Sequence, residues 1–84
     1  MPRNASTDDA LGVVLRKRRE ERGLSQEALA FHAGVTAGTL ARLELGQSDP
    51  AWSTIRAVAK ALNVSLHELA TAVEAQHLDD AKKC

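Results

Sequence analysis

The stretch from Gly23 to Gly46, GLSQEALAFHAGVTAGTLARLELG, constrains the fold more than any other part of the chain. It carries two short helical patterns. The first places Leu24, Ala28 and Leu29 inward, and the second Leu40 and Leu43. Ser25 and Thr36 stand where each helix needs an N-cap, because a hydroxyl oxygen there accepts from an amide that the first turn leaves without a carbonyl. Between the two lies Ala33-Gly34-Val35, and Gly34 suits a left-handed backbone far better than a helix interior. Gly46 closes the second pattern.

The flanks read as helices too. Thr7 or Asp8 can cap a first helix, with Asp8 and Asp9 facing the positive end of its dipole. Leu11, Val14, Leu15, Arg18 and Arg22 recur on one side of it, and Gly23 ends it. After a loop over residues 47–51, Trp52, Ile55, Val58, Ala59 and Leu62 form the stripe of a fourth helix, with Trp52 expected in the core. Pro50 disfavours helix at Asp49, and Ala51 is a poor cap. Ser65 and Glu68 make a capping box for a fifth helix carrying Leu66, Leu69, Ala70 and Val73, which is expected to fade near Gln76. The expected organisation is a disordered arm over 1–7, one all-α domain over 8–76, and a polar, frayed tail over 77–84. Within the domain, residues 25–45 form a helix-turn-helix, a unit that points to duplex DNA.

Composition supports the fold class and narrows the function. One Phe, one Trp and no Tyr among 84 residues leave the core to Leu, Val, Ile and Ala, which favours packed helices. No alternating run argues for a strand. The net charge is zero, so no global basic field announces nucleic acid. The positive charges are uneven, however, with Arg16, Lys17, Arg18, Arg19 and Arg22 crowded into the first helix. Such runs usually mark a solvated face, and Glu20 and Glu21 partly neutralise this one. The single cysteine, Cys84, excludes an intramolecular disulfide and fits a reducing cytoplasm. No apolar stretch reads as a signal peptide or a membrane span. His32, His67 and His77 fit no metal-ligand spacing, and no catalytic constellation appears, so neither a cofactor nor an enzyme is expected.

From Leu11 to Leu69 the chain resembles the Xre/Cro-type family of phage and bacterial repressors. The matching residues are Leu11-Gly12, Arg19, the G-L-S-Q of Gly23 to Gln26, Leu29-Ala30 and Gly34-Val35-Thr36. They continue with Leu40, Leu43-Glu44, Gly46, Pro50, Ala59, Leu62 and V-S-L-H-E-L from Val64 to Leu69. The resemblance implies a compact five-helix, lambda-repressor-like domain. Helix two would cross the phosphate backbone and helix three would lie in the major groove. It also implies a salt bridge between Arg19 and Glu44 that orients helix three, with the guanidinium free to face a phosphate.

Within that frame, phosphate contacts are expected from Ser25, Gln26 and Arg19, and from Gly46 and Gln47 through their backbone amides. Base contacts are expected from Thr36, Ala37, Gly38, Ala41 and Arg42, with Arg42 best suited to guanine O6 and N7. Many relatives place long polar side chains where this chain has Ala37 and Gly38, so its readout rests on few side chains or on DNA shape. The implied function is a DNA-binding regulator, a repressor acting as a homodimer on an operator, with helix five a candidate dimer surface. An antitoxin or a restriction–modification controller fits the same features. The competing reading is a protein-interaction module that kept the fold, with a partner protein in place of DNA.

Overall fold

The computed structural model describes residues 7–47 and 50–82. The arm expected over residues 1–7 lies outside them except for Thr7. Five helices account for most of the described chain: α1 Thr7–Glu21, α2 Gln26–Ala33, α3 Ala37–Glu44, α4 Trp52–Ala61 and α5 Leu66–Lys82. No strand occurs among the described residues. None of these helices is long and apolar enough to cross a membrane. Thr7 lies inside the first turn of α1 rather than capping it.

The N-termini form as the hydroxyl spacing predicts. Ser25 Oγ accepts from the Ala28 amide at 3.0 Å, and Thr36 Oγ1 accepts from the Thr39 amide at 3.1 Å. At α5 the Glu68 amide donates to Ser65 Oγ at 3.0 Å, and the Ser65 amide donates back to Glu68 Oε1 at 3.2 Å. Ala51 supplies no side-chain cap to α4.

The C-termini of α1 to α4 share one device. A left-handed residue donates its amide three residues back, and the next amide reaches five residues back. The paired bonds are Gly23 to Glu20 with Leu24 to Arg19, Gly34 to Phe31 with Val35 to Ala30, Gly46 to Leu43 with Gln47 to Arg42, and Asn63 to Lys60 with Val64 to Ala59. Glycine fills the left-handed position three times, at φ of 68°, 74° and 70°, and Asn63 fills it once at 57°. Leu24, Val35 and Val64 then turn back onto the core. Gln47 does not; it is exposed.

Each of the first four helices sends a large side chain fully inside: Leu15, Leu29, Leu40 and Val58, joined by Leu62 just after α4. Each such side chain contributes about 1.5–3 kcal/mol over an exposed one. Leu11, Val14, Leu43, Leu69 and Val73 complete the cluster, with Ala10, Ala30 and Ala59 allowing close helix approach. α5 lies along α1, α2 faces α4, and α3 is held between α1 and α2.

Two sequence expectations are corrected here. Trp52 is not core; its side chain is 62% exposed. It is the first residue of α4, and a Cβ that tilts toward the helix N-terminus carries the indole past the end of the stack. There it edges an apolar groove with Leu11, Ile55, Leu66 and Val73. The fifth helix also does not fade at Gln76 but continues to Lys82. Its last turns hold no Gly or Pro to stop the helix, and just before them Lys17 Nζ of α1 donates to Gln76 Oε1 at 3.0 Å.

Candidate nucleic-acid interface

The site is built around the C-terminal end of α3. Glu44, in its last turn, is 7% exposed and is a charged residue buried in the core region. An isolated carboxylate there would be costly, and the structure surrounds it with donors. Arg19 Nε donates to Glu44 Oε2 at 2.8 Å, and Arg19 Nη2 donates to Glu44 Oε1 at 3.1 Å. This two-pronged fit fixes the carboxylate plane as well as its position. Arg19 Nη1 donates at 2.8 Å to the carbonyl of Leu24, in the turn between α1 and α2. Gln26 Nε2, from the first residue of α2, donates to Glu44 Oε1 at 3.0 Å. One carboxylate therefore joins α1, α2 and α3. The hydrogen bond with Glu44 raises the Arg19 pKa, burial opposes it, and the charges of Glu44 and Glu20 add to the rise.

The Gln26 bond uses one amide hydrogen, leaving the second hydrogen and Oε1 for other partners. The backbone amides of Gln26 and Glu27 lie in the first turn of α2, where no intrahelical carbonyl stands four residues back, and the Ser25 hydroxyl caps the Ala28 amide rather than either of them. This leaves two amides and a side-chain amide together at the positive end of α2, next to the Arg19–Glu44 pair.

On α3, Thr36 caps the helix and its hydroxyl also donates to Thr39 Oγ1 at 2.8 Å, so its proton is already engaged. Ala37 is half-buried against the core and Ala41 is half-buried as well. Gly38 is exposed with open space where a Cβ would stand. Arg42, one turn later, is exposed, so the outer side of α3 is a nearly bare backbone followed by one guanidinium.

The amides of Gly46 and Gln47 are not available to a phosphate, which corrects that expectation. Gly46 N–H donates to Leu43 O at 3.2 Å and Gln47 N–H donates to Arg42 O at 2.9 Å, both within the turn that ends α3. Gly46 is buried, whereas the side chains of Leu45 and Gln47 on either side of it are exposed. The basic run of α1 is otherwise occupied on its own surface. Arg16 Nε pairs with Glu20 at 3.2 Å, Arg18 lies 3.9 Å from Glu21, and Lys17 holds Gln76. Lys60 occupies the last turn of α4, where a positive charge complements the helix dipole.

Two elements of the site escape sequence reasoning. The Gln26–Glu44 bond joins residues eighteen apart on different helices, and no spacing rule pairs them. The Leu24 carbonyl is a backbone acceptor exposed by the turn, invisible in residue identities.

Comparison with known proteins places the chain. A family model described as a helix-turn-helix domain matches residues 10–72. The chain is 33% identical over 68 residues to an uncharacterized HTH-type transcriptional regulator of Methanothermobacter thermautotrophicus, covering 81% of this chain and 83% of that one. It is also 33% identical over 60 residues to the HTH-type transcriptional regulator DdrOP3 of Deinococcus deserti, covering 71% of this chain and only 46% of that protein's length. Among solved structures it is similar to the restriction-modification controller protein C.AhdI from Aeromonas hydrophila, with 36% identity, a TM-score of 0.71, and 73% and 92% of the two chains covered. The clp gene regulator ClgR from Corynebacterium glutamicum superposes with a TM-score of 0.91 at 25% identity, over 96% and 86%. With the five-helix architecture and the capped two-helix unit at its centre, these matches establish that the chain belongs to the Xre/Cro-type helix-turn-helix family.

Proposed function

We propose that the protein is a sequence-specific, double-stranded DNA-binding transcriptional regulator, a repressor acting in the cytoplasm as a homodimer. The observation that carries this reading is the Glu44 junction. A buried ion pair with a third partner fixes an eight-residue helix against its neighbours while that helix's outer side stays bare. Such rigidity serves a helix that must present its surface to a major groove.

In this reading Gln26, Ser25 and the first amides of α2 hold one phosphate, with Arg19 beside it and the Gln47 side chain holding a second. Thr36, Ala37, Gly38, Ala41 and Arg42 face base edges. Arg42 supplies the bidentate contact, and the small residues allow close approach or contact with a thymine methyl. The relatives' names support a regulatory role, and C.AhdI raises restriction–modification control as one setting. A homodimer would read two half-sites about 34 Å apart. The groove of Leu11, Trp52, Ile55 and Val73 beside α5 is a candidate surface for its contact.

Selection from random duplexes at low salt tests the reading. Enrichment of an inverted repeat, with affinity falling steeply as salt rises, supports it. Binding without any enriched motif, or no binding, favours the protein-interaction or antitoxin-type reading, to which the bare side of α3 and the zero net charge also lend weight.

A further inference from the structure

Gly12 lies in the middle of α1, buried where α1 crosses the end of α3. A Cβ at this position would meet the carbonyl oxygen of Glu44, and it would stand 2.7 Å from the Leu43 oxygen and 2.8 Å from the Glu44 carbonyl carbon. All of these are backbone atoms, so no rotamer change relieves the contact; the helices themselves would have to part. Gly12 and Arg19 are seven residues apart, two turns along one side of α1. That side therefore holds Glu44 twice, by contact with its backbone at Gly12 and by hydrogen bonds to its carboxylate at Arg19. One residue pair further out, the Gly46 turn packs on Asp9, where an added Cβ would stand 3.2 Å from the Asp9 Cα.

We propose that Gly12 is a positioning residue for α3, setting the helix separation at which Glu44 can engage Arg19 and Gln26 together. The DNA consequence rests on the reading of α3 given above. A methyl group at position 12 displaces the end of α3 from α1, and the bonds of 2.8–3.1 Å to Glu44 lengthen with it. The phosphate-holding start of α2 and the outer side of α3 then lose their fixed register. Helix propensity argues the other way, because Gly→Ala at an uncrowded interior helix position stabilises. The two accounts thus predict opposite outcomes for one methyl group.

The test is Gly12→Ala, prepared both in the natural chain and with Asn63→Gly as a second background, with circular dichroism showing that each sample is folded. Without DNA, the Arg19 Nε–H resonance is expected to lose its protection from solvent exchange. An Arg19 signal unchanged from that of the natural chain overturns the proposal. With the selected duplex and an unrelated one, the ratio of affinities is expected to fall roughly tenfold, about the effect of one mismatched base pair. Binding to the unrelated duplex should fall by less than binding to the selected one, since it draws on the phosphate contacts at the start of α2 but not on the base contacts of α3. Combining Gly12→Ala with Glu44→Gln should add little further loss of that ratio, and full additivity would overturn the coupling through Glu44. If the natural chain enriches no duplex, the proposed function fails, and the Arg19 resonance still decides the role of Gly12.

Discussion

Glu44→Ala is the substitution whose cost follows most directly from the structure. It removes both carboxylate oxygens, leaving Arg19 Nε and Nη2 without acceptors and releasing the Gln26 amide. Arg19 keeps its bond to the Leu24 carbonyl. Removing one partner of a buried pair costs about 3–5 kcal/mol, because the other charge is left desolvated. Here 12% of the Arg19 side chain is exposed, so water relieves part of that cost and about 3 kcal/mol is expected. A chain of this size unfolds in urea with a slope of about 1–1.5 kcal/mol/M, so the midpoint should fall by about 2–3 M. The matched control is Glu20→Ala. Its pairing with Arg16 is more than half exposed on both sides, and such pairs contribute about 0.2–1 kcal/mol. Equal midpoints for Glu44→Ala and the natural chain, or equal losses for the two variants, would refute the reasoning. The pH dependence has a definite sign. Folding raises the Arg19 pKa, so its contribution is complete wherever the unfolded arginine is charged and is lost only as pH rises through the folded-state value, above the ordinary guanidinium range. The difference between the natural chain and Glu44→Ala that arises from the guanidinium should thus stay flat from neutral to mildly alkaline pH.

Three further substitutions test separate parts of the account. Asn63→Gly relieves a side chain held at φ 57° and should raise stability by about 0.5–1 kcal/mol in thermal unfolding; a lower midpoint would show that Asn63 makes a compensating contact. Trp52→Ala should cost clearly less than the 3–5 kcal/mol of a buried aromatic, measured as a denaturation midpoint for the monomer, because the indole is 62% exposed. Arg42→Ala should leave folding intact, weaken binding to the selected duplex by about 1–3 kcal/mol and relax the preference at one base pair. A uniform loss across all sequences would instead assign Arg42 to a phosphate.

Most of the helical framework is legible in the residues because each boundary carries local chemistry. Ser25, Thr36 and Ser65 announce starts through their hydroxyls, and Gly23, Gly34 and Gly46 announce ends through their backbone freedom. Asn63 marks the same kind of end, and an asparagine between a helical stripe and an apolar β-branched residue is the signal that identifies it. Trp52 misleads because periodicity reports a helix side and not how far along the helix the core extends. The end of α5 misleads because its polar residues look like a frayed tail, while no Gly or Pro among them stops the helix and Gln76, where they begin, is bonded to Lys17 of α1. The site divides in the same way. Residue types suggest an Arg19–Glu44 pair once a family pattern is in hand, whereas the Gln26 bond and the engaged amides of Gly46 and Gln47 depend on the relative placement of helices and on turn geometry. Those are tertiary facts, and a single sequence does not print them.

The central claim is that the Glu44 junction holds α3 so that its bare side, with the start of α2, meets duplex DNA. An amide chemical-shift map recorded while a short duplex is added at low salt tests it most directly. The account predicts the largest changes at residues 25–27 and 36–42, fading as salt is raised. Changes confined to α4 and α5, or none at any duplex concentration, would contradict it.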